Sequence, residues 1–472
     1  MVSQLLNEDR KFYTLVQFES EPNTFIFEQL VFHETETKIL SKMKEKIRNS
    51  RNISMHNNRG VNNTRKINKG VNRFLVSSKF VTAKPVNELP QFSREEIVLG
   101  KLLGSGSFSD AYEVKFICPS PRKGLTKDEE DSRGLLVEKS RKRYKSKAPF
   151  FVVKHMKEKF LENPSKFHRS GTDLVIEAHF LASLSHPNIL TIRGWATGGA
   201  AAYSSGRIDS FFLILDRLDE TLDARIKQWS KQLKRYKHTI LQKINPNIPQ
   251  LLFAGRLQVS RDIASAVSYL HSNGIIYRDL KPCNIGFDAS GTVKIFDFGL
   301  AREILNAKKA GSSCDTAGGE EVFGLSGKIG TQRYMAPEVG CNLPYNSKAD
   351  VYSLSLVLWE CLSLVKPFAG YSRTAHRAMA LEGELRPALD RSWPYGVRKL
   401  MGCSWSADIC DRPTMRVFQA VLNREIEDLR LRNPHKRQVE LNLGRRSSHT
   451  LSSFTQEASG MSDYTGDSME VS

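Results

Sequence analysis

Five short motifs in fixed order constrain this chain more than any other feature. They are Gly104-Ser-Gly-Ser-Phe-Ser109, Phe151-Val-Val-Lys154, Tyr277-Arg-Asp-Leu-Lys-Pro-Cys-Asn284, Asp297-Phe-Gly299 and Ala336-Pro-Glu338. The small residues at 104–109 lie between the apolar runs Ile97-Val-Leu99 and Ala111-Tyr-Glu-Val114, which predicts strand, tight loop and strand. Glycine there lets a backbone approach a ligand closely and present its N–H groups to an anion. Lys154 closes an apolar run that reads as a buried strand, and Asp297 follows a second one, Val293-Lys-Ile-Phe296. Lys154 and Asp297 are therefore placed at the ends of regular elements.

Taken together, the motifs resemble the signature set of eukaryotic protein kinases. The resemblance implies an α+β, two-lobed fold. Its small, mainly antiparallel N-lobe carries one regulatory helix and sits over a larger, mainly helical C-lobe. It further implies ATP and Mg²⁺ as cofactors, with protein serine and threonine hydroxyls as acceptors. Phosphoryl transfer requires positioned phosphates, metal ions and stabilised charge more than covalent participation by the protein.

Residue roles follow from the same resemblance. The nucleotide would contact Leu103, Gly104, Ser105, Gly106, Ser107, Phe108, Ser109, Ala111, Val152, Lys154, Asp216 and Leu218, with Asn284 and Asp297 also holding the metal. Lys154 would meet the α- and β-phosphates and pair with Glu177, which has apolar flanks at helical spacing ahead of His186-Pro-Asn-Ile-Leu190. Asp279 would orient the acceptor hydroxyl within hydrogen-bond reach, and Lys281 would lie against the γ-phosphate. Thr331 would bond near both, Asp350 would brace the catalytic loop, and Arg412 would pair with Glu338.

Several departures from the family pattern stand out. Ser109 replaces a third glycine, and Tyr277 replaces the usual histidine, its ring expected to stack on Phe298. Ala111 and Val152 exchange the usual sizes, a volume-conserving swap of the kind that packed sites tolerate. Gly286 stands where a leucine normally floors the adenine site. Either the floor is roomier or Phe287 and Leu218 fill it. The gatekeeper falls at Leu215 and the hinge at Asp216 to Leu218. Lys281 and Gly330-Thr-Gln-Arg-Tyr334 point to serine/threonine specificity, and the segments 349–360 and 403–414 resemble the tyrosine-kinase-like group. Arg278 beside Asp279 predicts activation-segment phosphorylation, with Ser312, Ser313, Thr316 and Ser326 as candidates; the plainer reading pairs Arg278 with a carboxylate. A scaffold of the pseudokinase type is the alternative, although Lys154, Glu177, Asp279, Asn284 and Asp297 are all present.

Charge and composition organise the remainder. The 472 residues carry a net charge of +19. Residues 1–37 hold −5 and 438–472 hold −3, whereas 38–73 hold +10. The basic stretch 38–73 is expected to be disordered and to suit an acidic partner or anionic surface. The catalytic domain is expected over 93–429, between an extension over 1–92 and a Ser/Thr-rich disordered tail over 430–472. Insertions are expected near 117–148, 197–209, 228–254 and 303–329, the last of them mobile. Leu222, Ile226, Trp229, Leu233, Tyr236 and Ile240 predict one apolar helix face packed on the C-lobe, in preference to a calmodulin-like target. Seven cysteines without compact spacing fit reduced thiols. No apolar run approaches the ~18 residues of a membrane span, and 1–18 lacks the order of a secretory signal. The expectation is a cytoplasmic or nuclear protein, monomeric or transiently dimeric.

Overall fold

The computed structural model describes residues 4–6, 12–14, 57–81, 89–122, 124–142, 149–237, 248–304, 307, 309–312 and 319–431. The chain divides into two compact units, Met1–Gly60 and the residues from Val61 onward. In the first, β1 (Gln4–Leu6) and β2 (Phe12–Thr14) pair antiparallel.

The N-lobe of the second unit is built on a six-stranded sheet. After α1 (Asn57–Ser77) come β3 (Gln91–Phe92), β4 (Ile97–Ser105), β5 (Ser109–Ile117), α2 (Lys127–Arg141), β6 (Phe151–Met156), α3 (Pro164–Ser183), β7 (Ile192–Ala196) and β8 (Phe212–Asp216). The sheet order is β3-β7-β8-β6-β5-β4, antiparallel throughout except where β3 runs parallel to β7. Helix α3 begins cleanly because the Asn163 side chain accepts the Lys166 N–H at 3.0 Å and Pro164 occupies its first turn. The expected two-lobed α+β architecture holds, with α1 and α2 packed on the N-lobe in addition to α3.

Helix α1 corrects the expectation of disorder over its part of the basic stretch. Thr64, Ile67, Val71 and Ser78 are buried at helical spacing, while Arg65, Lys66, Lys69 and Arg73 are exposed. Few apolar residues suffice here, because each one lands on the same face. The compact unit that holds most of α1 begins at Val61. Residues 38–56 and the tail from 432 lie outside the described residues.

The C-lobe comprises β9 (Glu220–Thr221), α4 (Leu222–Lys237), α5 (Ile248–Ser272), β10 (Ile275–Ile276), β11 (Ile285–Phe287), β12 (Val293–Ile295), β13 (Arg302–Glu303), β14 (Lys309–Ser312), β15 (Glu321–Phe323), α6 (Pro337–Gly340), α7 (Lys348–Ser363), α8 (Arg373–His376), α9 (Tyr395–Ser404) and α10 (Met415–Leu431). Helix α7 is buried on nearly every side, consistent with its apolar run, and forms the centre of the lobe. The stripe on α4 packs inward as expected, with Leu222, Ile226 and Tyr236 buried; Ile240 lies outside the described residues. Part of the stretch expected to be mobile, 303–329, forms the antiparallel hairpin β14–β15. Cys118, Cys283, Cys341, Cys361 and Cys403 are free thiols.

One buried ion pair ties the C-lobe together. Arg412 forms parallel bonds from Nη1 and Nη2 to Glu338 Oε1 and Oε2 at 2.7 and 2.8 Å, and its guanidinium lies 5.2 Å from the Tyr352 ring centroid. Arg412→Met leaves the Glu338 carboxylate buried without its partner. The expected cost is about 3–5 kcal/mol in denaturant unfolding, against less than about 1 kcal/mol if the pair behaved like a surface bridge.

Candidate functional site

The glycine-rich loop is the turn between β4 and β5. Gly104 faces Ala111 across the pair, and Gly106 N donates to Ser109 O at 2.9 Å. A Cβ added at Gly104 would meet nothing within 4 Å, so the chain's own packing does not demand glycine there. The missing side chain leaves the loop open to a ligand instead. Ser109 has no positive φ and pairs with Met156, so this position does not need a glycine conformation. Leu103 and Phe108 are exposed at the same loop.

Lys154, on β6, sits between two carboxylates contributed by different elements. Its Nζ lies 2.7 Å from both oxygens of Glu177 on α3 and 2.9 Å from Asp297 Oδ1. Burial disfavours the lysine charge, but Asp297 and Glu177 more than offset it and hold Lys154 above the usual lysine range. Asp297 is likewise opposed by burial and drawn below the usual carboxylate range by Lys154 and Lys281. Burial pushes Glu177 up to about 7 despite the pull of Lys154. Ala111 pairs directly with Lys154, and Val152 lies two residues earlier on β6, so the exchanged sizes share one sheet face.

The loop after β10 gathers a second cluster. Lys281 Nζ reaches Asp279 Oδ2 at 2.6 Å and Thr331 Oγ1 at 2.9 Å, and Thr331 donates to Asp279 Oδ1 at 2.9 Å. Asn284 Nδ2 donates to Asp279 Oδ2 at 2.9 Å and to its carbonyl at 3.1 Å. Fully buried Asp350 accepts the Tyr277 and Arg278 N–H groups, both at 2.8 Å, and contacts His271 Nε2 at 2.9 Å. Those bonds hold Arg278 at φ 70°, a left-handed conformation that costs a non-glycine residue energy. The Tyr277 ring meets Phe298 edge to face at 5.2 Å, and its hydroxyl donates to the Phe296 carbonyl.

At the hinge, Leu215 is buried opposite Val152, and the Asp216 carboxylate is held by Arg193 at 2.9 and 2.7 Å. Leu218 fills the space left by Gly286: a Cβ there would lie 2.7 Å from Leu218 Cδ1. Phe287 turns instead to Arg225, whose guanidinium is 4.1 Å from its ring centroid. Among the described residues no group of three or more His, Cys, Asp or Glu could hold a metal. Asn284 and Asp297 offer two hard oxygen donors, and the Asp297 side chain is 42% exposed although Lys154 occupies one oxygen. That donor set fits Mg²⁺ completed by phosphate and water, and excludes an all-protein cage.

Sequence reasoning missed three participants. Asp173 lies one turn before Glu177 on α3 and faces Arg302 at 4.0 Å; its i, i+4 spacing from Glu177 was the available signal. Tyr345 receives Arg278 Nη1 at 3.1 Å and donates to the Ser326 carbonyl at 2.9 Å, which no local pattern announces. Gly330, at φ 96°, passes so close that an added Cβ would lie 2.5 Å from the Arg278 carbonyl oxygen. Gly330→Ala is expected to cost on the order of 1–3 kcal/mol through left-handed strain and this clash. Urea unfolding of the full chain checks it; an unchanged midpoint contradicts the close approach.

Comparison with known proteins agrees with this geometry. The protein kinase domain profile matches residues 137–424. The β4–β5 loop precedes that range but is joined to it through the β5–β6 ladder. Serine/threonine-protein kinase STY17 of Arabidopsis thaliana is 32% identical over 180 residues, covering 38% of this chain and 29% of the plant protein. A probable serine/threonine-protein kinase of Dictyostelium discoideum is 35% identical over 190 residues, 40% of this chain and 12% of that protein. The dual specificity protein kinase shkA of the same organism is 26% identical over 343 residues, 72% of this chain and half of its own length. The alignments with the first two span less than a third of those relatives. With more than half its length matched by one profile and the lysine, aspartates and asparagine gathered at one site, the chain belongs to the protein kinase domain family.

Proposed function

We propose that this protein is a serine/threonine kinase that transfers the γ-phosphate of ATP to protein hydroxyls with Mg²⁺. The observation that carries the reading is the proximity of two clusters, Lys154–Glu177–Asp297 and Asp279–Lys281–Asn284–Thr331: the Phe296 N–H beside Asp297 donates to the Asn284 carbonyl at 3.0 Å, and Lys281 helps draw Asp297 below the usual carboxylate range. Asp279 is the group that orients the acceptor hydroxyl and takes up its proton, because Lys281 and Thr331 fix both of its oxygens. Lys281 and Lys154 supply the positive charge that the transferred phosphoryl group requires. Asn284 and Asp297 would hold Mg²⁺, which neutralises phosphate charge when bound. The names of the relatives support serine and threonine as acceptors.

Regulation by the activation segment belongs to the same proposal. Arg278 Nη1 lies 3.2 Å from Ser326 Oγ, and its other donors meet the Leu300 carbonyl and the Tyr345 hydroxyl. These partners are a carbonyl and two hydroxyls, none of them a carboxylate, which favours a phosphate on Ser326 as its partner. The Ser312 side chain, Ser313 and Thr316 lie outside the described residues. The exposed Arg65, Lys66, Lys69 and Arg73 on α1 support an anionic partner for that part of the basic stretch.

The test is Mg²⁺-dependent transfer of labelled phosphate from ATP to casein, with wild type beside Asp297→Ala and Asp279→Asn. Label on serine and threonine should appear with wild type, and Asp279→Asn should lower kcat by at least ~10² while nucleotide still binds. Equal labelling by all three proteins would refute the assignment. Ser326→Ala is expected to reduce turnover on the order of tenfold if its phosphate orders the segment; phosphopeptide mapping that finds Ser326 unmodified in active protein would refute that part.

A further inference from the structure

We propose that α1 and the turn that follows it form a positioning element for phosphoryl transfer. They clamp α3 to the root of the activation segment, so that Glu177 stays on Lys154. This inference rests on the kinase reading and deepens it by naming how the same site is held in order.

The contact between α1 and α3 is a close approach of two helix backbones. At Gly171 of α3 an added Cβ would lie 2.6 Å from Ile67 Cδ1, and at Gly70 of α1 it would lie 2.9 Å from Thr172 Cγ2. Each helix thus presents a glycine where the other presses in, which sets both their separation and their register. Further along, the Phe74 and Phe180 rings pack with centroids 5.3 Å apart. Glu177 lies in α3 between these supports. Ile67 is fully buried and Val71 nearly so, so the interface is part of the core rather than a surface graze.

Beyond α1 the chain turns and captures a carboxylate. Glu303, on β13, accepts from Lys79 N at 2.9 Å and Phe80 N at 3.3 Å through Oε2, and from the Ser78 hydroxyl through Oε1. Ser78 Oγ in turn accepts Val81 N at 3.0 Å, which locks the turn. Glu303 pairs with Ile275 immediately before the loop that bears Asp279, and its neighbour Arg302 faces Asp173 on α3. Three elements that must be mutually placed for Lys154 to meet both carboxylates are therefore joined through residues outside the motif set. If α3 moved away from Lys154, it would have to leave Ile67 and Phe74. If the segment root moved, it would have to leave three donors holding one carboxylate.

The experiment uses full-length protein with Glu303→Ala, Glu303→Gln and Ile67→Ala, and exposed Lys69→Ala as control. Hydrogen exchange across 164–183 and across α7 is followed alongside kcat and KM for ATP. Glu303→Ala and Ile67→Ala should each raise exchange in α3 by about tenfold, with α7 unchanged. They should raise KM for ATP by a similar factor, because only the paired fraction binds phosphate well. Glu303→Gln, which keeps an acceptor, should recover part of both effects, and Lys69→Ala should match wild type. Unchanged α3 exchange in Glu303→Ala, or an equal rise in α7, overturns the proposal. If Ile67→Ala fails to fold, the two Glu303 variants decide the question alone. A wild type that transfers no phosphate refutes the kinase reading, while the exchange comparison still decides whether α1 clamps α3.

Discussion

A nearly buried lysine cannot keep its charge without carboxylates around it, and the arrangement of the catalytic cleft depends on that requirement at Lys154. Its side chain is 12% exposed, and that of Glu177 is 2% exposed. Removing such charges from water costs several kcal/mol per ion unless geometry and hydrogen bonds are good. Here the carboxylates come from α3 and from the segment after β12, so satisfying one ammonium fixes the relative position of sheet, helix and C-lobe. The Asp297 backbone is held at φ 69° in the same arrangement. Ordering of the site and burial of the lysine are one event.

A second constraint acts on backbone rather than charge. Asp350 is fully buried on α7 and takes two successive N–H groups of the catalytic loop, so the rigid centre of the C-lobe dictates the loop's path. Gly330 then lies against the Arg278 carbonyl, which brings Thr331 onto Asp279 and Lys281. Neither contact is chemical, yet each determines where an acceptor hydroxyl could sit.

How much of this was legible depended on whether information was local. The five motifs, the Lys154–Glu177 pair and the Arg412–Glu338 pair could be read because a short pattern marks each residue. The apolar stripe of α4 was legible for the same reason: a period of 3.6 shows in sequence. Helix α1 was not, because its composition is polar and basic and its few apolar residues gain meaning only against α3. Likewise Leu218 and Gly286 are far apart in sequence. The sequence left open whether Phe287 and Leu218 fill that space or it stays roomier, and the fold decides for Leu218.

The same limit applies to reading charge from sequence. The stretch 117–148, expected as an insertion, uses two of its arginines internally. Arg122 and Arg133 reach the fully buried Glu96 at 2.6 and 2.7 Å, and Arg133 also lies 4.5 Å from the Phe92 ring centroid. Burial opposes the Glu96 charge, but the Ser120 and Ser93 N–H groups and Arg133 hold its carboxyl below the usual range. With Ser140 accepting the Ile117 N–H at 3.1 Å, α2 becomes a buttress for the strands that carry the glycine-rich loop. Glu96 cancels one of these two arginine charges, and the sum of +19 already counts it. The charge nearest a partner is carried by exposed cations such as those on α1 and α4.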